Sequence, residues 1–103
     1  MKQFRTYQLA KELFHDLKVL KVSGPMKDQL ERASLSIVLN LAEGSAKAGF
    51  KDRKKFFTIA YGSLRETQAI LELIDDKVLG DKADKIAAHI FKLIRNPGPG
   101  PAA

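Results

Sequence analysis

The sequence predicts an all-α fold, an antiparallel up-down-up-down four-helix bundle, on three observations. Apolar residues recur at steps of three and four in four separate segments. Proline and glycine fall between those segments, and no stretch of any length has the period of a strand. The connections expected at residues 21–25 and 78–80 are short, which forces neighbouring helices antiparallel.

The first helix is expected over about residues 3–20. Tyr7, Ala10, Leu13, Phe14, Leu17 and Leu20 form its apolar stripe, with Lys11, Glu12, His15 and Lys18 off it. Ser23-Gly24-Pro25 then stops one helix and opens the next, because proline is tolerated in a first turn. The second helix, about 26–43, has a stripe of Leu30, Ala33, Ile37 and Leu41. Leu35, Val38, Leu39 and Ala42 widen it, so burial against more than one neighbour is expected. Gly44 reads as its C-cap.

A third helix is expected from Phe50–Asp52 to about Lys77, on a seam of Phe57, Ala60, Leu64, Thr67, Leu71, Ile74 and Val78. Gly80 breaks the chain and Asp81 can cap the fourth helix, marked by Ala83, Ile86, Ala87, Ile90, Leu93 and Ile94. Residues 1–96 therefore form one bundle domain. The Pro/Gly stretch 97–103 has nothing to bury and is expected to be a disordered tail.

Composition narrows the function. Hydrophobic residues are 45% of 103 positions, enough for one core with little to spare, so burial against a second copy would help. The absence of cysteine excludes disulfides, thiolate metal sites and a thiol nucleophile. No apolar run is long enough to span a bilayer, and the opening residues lack a signal-peptide apolar region, so the expected location is cytoplasmic. His15 and His89 belong to no metal or di-iron motif, and Glu43-Gly44-Ser45-Ala46-Lys47 lacks phosphate-loop spacing. With no catalytic apparatus in view, neither an enzyme nor a cofactor or metal is expected.

Two features point to partners. The net charge is +6, and the segment 47–55 alone carries +4 through Lys47, Lys51, Arg53, Lys54 and Lys55 against Asp52. Cations in the first turn of a helix oppose its dipole, so their placement beside Phe50 and Phe56 favours an anionic ligand, nucleic acid first. A solvated basic loop is the bland alternative. The second feature is the polar stripe Arg32, Ser36, Asn40 and Glu43, on one face and flanked by apolar residues. Gly62, Ser63 and Glu66 of the third helix are its expected counterpart, with a close backbone approach at Gly62. A solvated face is again the alternative, but a helix or subunit contact fits better.

The segments Gln29–Ile37, Asn40–Ser45 and Phe56–Glu66 closely resemble a family of bacterial four-helix-bundle proteins. That family includes proteins encoded in intervening sequences of large-subunit ribosomal RNA genes. The accessory variability determinant of diversity-generating retroelements is related. The shared motifs are Arg-Ala-x-x-Ser-Ile-x-x-Asn-x-Ala-Glu-Gly and Ala-x-Gly-Ser-Leu-x-Glu, which fall on the stripe residues named above.

The resemblance implies a cytoplasmic homopentamer that binds RNA or DNA without strong sequence preference, and in the retroelement branch a reverse transcriptase partner. The chain departs from the family pattern at Gly49 and Arg53, where a serine cap and an apolar residue are usual. The expected function is a non-enzymatic, oligomeric nucleic-acid-binding protein: an accessory factor to a reverse transcriptase or an rRNA intervening-sequence protein. The alternative is a protein-interaction scaffold.

Overall fold

A computed structural model describes residues 4–98, and it is a four-helix bundle. The helices are α1 (Arg5–Lys18), α2 (Gly24–Ala46), α3 (Phe50–Leu73) and α4 (Lys77–Arg95). Each packs on two neighbours in the ring order α1, α2, α3, α4, and the α2–α3 contact is the most extensive. The core is built from the expected stripes: Leu13 and Leu17, Leu30, Ile37 and Leu41, Phe57, Leu64 and Leu71, Ile86 and Ile90 are almost wholly buried. Burying a side chain of this size contributes about 1.5–3 kcal/mol, so the stripes are the main attraction between the four helices.

Polar contacts fix how the helices meet. Lys82 donates to Asp16 at 2.6 Å, tying α4 to α1. Lys27 donates to the carbonyls of Lys18 and Leu20 at 2.7 and 2.6 Å, which serves the acceptors left over at the end of α1.

The helix boundaries differ from expectation in two places. Pro25 lies in the first turn of α2, but Gly44 does not end that helix, which continues to Ala46. Glycine at position 44 serves packing. A Cβ built there would lie 2.6 Å from Phe57 Cε1, inside van der Waals contact, and Phe57 is fully buried.

The second difference is the turn between α3 and α4, which falls at residues 74–76 and not at 78–80. Asp75 takes a left-handed conformation (φ 57°). Its N–H donates to the Glu72 carbonyl and that of Asp76 to the Leu71 carbonyl, both at 3.1 Å, a Schellman pattern. Asp76, not Asp81, then caps α4 by accepting from the Leu79 N–H at 2.9 Å. Gly80 is inside α4, and Val78, assigned to the α3 seam, is 80% exposed.

One residue assigned to the Pro/Gly tail packs against the bundle. Pro97 is buried, and residues 99–103 lie outside the described residues.

Candidate nucleic-acid interface and helix-contact stripe

In an antiparallel ring the starts of α1 and α3 share one end of the bundle with the finishes of α2 and α4. The aromatic contact between Phe4 and Phe57, with centroids 6.2 Å apart, records that proximity. The basic segment between α2 and α3 therefore sits at an end to which all four helices contribute.

Lys51, Lys54 and Lys55 are exposed there. Lys47 and Lys55 both approach the Phe56 ring, with Nζ atoms 5.3 and 5.9 Å from its centroid. Cation–π attraction of this kind holds like charges close together at modest cost. Lys47 also pairs with Glu43 at 3.4 Å, an exposed pair of small energetic value.

Arg53 is a correction to the expected patch, because its guanidinium is buried and committed. Nη1 donates to the carbonyls of Gly44, Ser45 and Lys47 at 3.2, 2.9 and 3.2 Å. Nε and Nη2 both donate to the Pro97 carbonyl, at 3.1 and 2.9 Å. The physical reason is the end of α2, whose last carbonyls lack the donor four residues on and carry the negative end of the dipole. A planar fork of donors satisfies several of them at once. The opposition between Arg53 and its own helix dipole is offset by its position at the C-terminus of another helix.

The structure adds cations that the sequence reading left out. Arg5 in the first turn of α1, and Lys92 and Arg95 in the last turn of α4, are exposed at the same end. Their signal was available once the bundle topology was predicted, since that topology decides which helix ends meet. At the opposite end, a groove of about 450 Å³ is lined by five carboxylates, Glu72, Asp75, Asp76, Asp81 and Asp84, against two cations, Arg65 and Lys77. The bundle is thus electrically polar along its length.

The polar stripe is only partly a contact within the chain. Ser36 and Ser63 share a hydrogen bond of 2.7 Å between α2 and α3, and Asn40 Nδ2 donates to the Ser36 carbonyl and hydroxyl at 2.9 and 3.1 Å. Glu66 accepts from Gln29 Nε2 at 2.6 Å. Arg32 and Glu43 are exposed.

The close approach expected at Gly62 is not made within the chain: a Cβ there would meet nothing within 4 Å. Leu35 and Leu39 of α2 and Ile59 of α3 are also exposed beside the stripe, so α2 is not covered on all its apolar sides. Among the described residues, no group of His, Asp or Glu is placed to hold a metal ion. No helix among them is long and apolar enough to cross a membrane.

Fold and surface together define a small helical bundle with one basic end and one outer face on which apolar residues surround a polar centre. The model of the 23S rRNA-intervening sequence protein family matches residues 2–96, and the chain belongs to that family. No curated protein and no solved structure matched the chain.

Proposed function

We propose that this protein is a non-enzymatic, oligomeric binder of RNA or DNA that recognises the phosphate backbone with little sequence preference. The observation that carries the reading is the gathering of exposed cations from α1, α3 and α4 at one end. Lys51, Lys54 and Lys55 stand there with Arg5, Lys92 and Arg95. Such a surface neutralises phosphates and carries no means of reading base edges.

Self-association supports it from the other side. Leu35, Leu39 and Ile59 are exposed around the Ser36–Ser63 hydrogen bond, and Gly62 leaves room for a close neighbour. Repeating the basic end around a ring, a pentamer by resemblance to related bundles, multiplies a weak contact into a useful one. A cytoplasmic role beside ribosomal RNA fits the family, and support of a reverse transcriptase is the finer reading for its retroelement relatives.

Binding of labelled RNA and DNA across a salt series tests the proposal. Affinity that falls steeply with salt is expected. Absence of binding to either polymer at physiological salt would favour the scaffold alternative, for which the exposed leucines of α2 are the motivating observation.

A further inference from the structure

The outer groove between α3 and α4 carries something that phosphate neutralisation does not require: aromatic rings exposed among cations. Phe50 and Phe91 are 57% and 48% exposed. Phe91 lies against Tyr61 with centroids 6.3 Å apart and planes tilted by 51°. Arg95 Cζ stands 5.9 Å from the centre of the Phe91 ring.

On α3, Phe50, Lys54 and Tyr61 follow one another at spacings of four and seven residues, which keeps them on one side of the helix. The Tyr61–Phe91 contact shows that this side faces α4. The hydrogen bond from Gln68 to Asp84, at 2.8 Å, confirms it one turn further on. From Phe50 to Tyr61 the strip runs about 16 Å.

A duplex keeps its base faces stacked inside, so it would use the cations and leave the rings idle. A single strand offers phosphates and open base faces together, which is the combination this strip matches. We infer that the basic end of the α3–α4 groove binds single-stranded nucleic acid, with bases stacking on Phe91 and Phe50 and phosphates held by Lys54 and Arg95. The inference rests on the nucleic-acid reading above and narrows it to unpaired strands. It uses the side of α3 opposite to the one that carries Ser63, so strand binding and self-association do not compete for one face.

The test is fluorescence anisotropy with labelled oligouridylate, oligothymidylate and a DNA duplex of equal length, at one fixed salt concentration. Both single strands should bind more tightly than the duplex. Phe91→Ala should weaken them by about fivefold to a hundredfold, as removal of one stacked base does, and leave duplex binding unchanged. Because the chain has no tryptophan, Phe91→Trp supplies its sole indole, and emission should fall as a base stacks on it.

Equal affinity for strands and duplex, with Phe91→Ala neutral, would overturn the inference while leaving phosphate binding intact. So would an unquenched indole in a complex shown by anisotropy to have formed. Failure of all three probes to bind would overturn both this inference and the broader reading. A change of oligomeric mass in Phe91→Ala, seen by light scattering, would assign the ring to a contact between copies and also overturn it.

Discussion

Arg53 of α3 places two donors, Nε and Nη2, on the carbonyl of Pro97, at 3.1 and 2.9 Å. Its third nitrogen serves the end of α2, so one side chain joins three segments at the basic end of the bundle. Removing it takes two donors from the buried Pro97 carbonyl and a third nitrogen from the end of α2. Arg53→Ala should therefore lower stability by about 2–4 kcal/mol, and Arg53→Lys should recover little, lacking the fork. Urea denaturation measures both, and a decrease below about 0.5 kcal/mol would contradict the assignment. A chain ending at Asn96 should likewise be less stable than one ending at Gly98, because only the latter keeps the Pro97 carbonyl and its buried ring.

Asp75 occupies a left-handed position at the end of α3 that glycine adopts without strain. Asp75→Gly should raise stability by about 0.5–1 kcal/mol, less than the full left-handed penalty because aspartate tolerates this region comparatively well. An unchanged or lower urea midpoint would show that the Asp75 side chain makes a compensating contribution.

Gly44 and Gly62 should respond oppositely to alanine. At Gly44 the added carbon meets the buried Phe57 ring at 2.6 Å, so Gly44→Ala should cost about 1–3 kcal/mol. At Gly62 nothing lies within 4 Å, so Gly62→Ala should stabilise the isolated bundle by about 0.5–1 kcal/mol. Thermal unfolding distinguishes them, and equal shifts would contradict the packing described here.

Self-association has its own test at the same position. Gly62→Arg places a long charged chain on the face bounded by Leu35, Leu39 and Ile59, and should dissociate an oligomer that uses this face while leaving the helices intact. Replacing Asn40 or Glu43 should weaken the same assembly. Light scattering reads the mass, and a monomeric wild type, or an unchanged mass in Gly62→Arg, would remove this face as the contact.

The bundle was legible because its core stripes follow helical period with few interruptions. What escaped the sequence reading depends on contacts between distant segments. The α3–α4 turn lies earlier than its expected place because Asp76 and Asp81 are equally good caps by type, and the left-handed residue at the turn is an aspartate, while Gly80 sits inside the next helix. Arg53 looked like one of five equivalent cations, since its carbonyl partners lie at the end of α2 and beyond α4. One signal was present: the stripe of Leu64, Ala60 and Phe57, carried one turn back, falls on Arg53. The stripe partnership of Ser36 with Ser63 was readable, whereas Gly62 turned outward because the α2–α3 contact passes along its neighbour.

The central claim is that the cations gathered at one end of the bundle hold a nucleic-acid backbone. Its most direct measurement is the salt dependence of RNA binding by the wild type and by a variant with Lys51, Lys54 and Lys55 changed to alanine, Arg53 being kept for stability. Removing one lysine–phosphate pairing should lower the slope of log affinity against log salt by about 0.7–0.9. The variant should therefore bind more weakly and with a slope reduced by about 2–3. Equal affinity and equal slope in the two proteins would contradict the account.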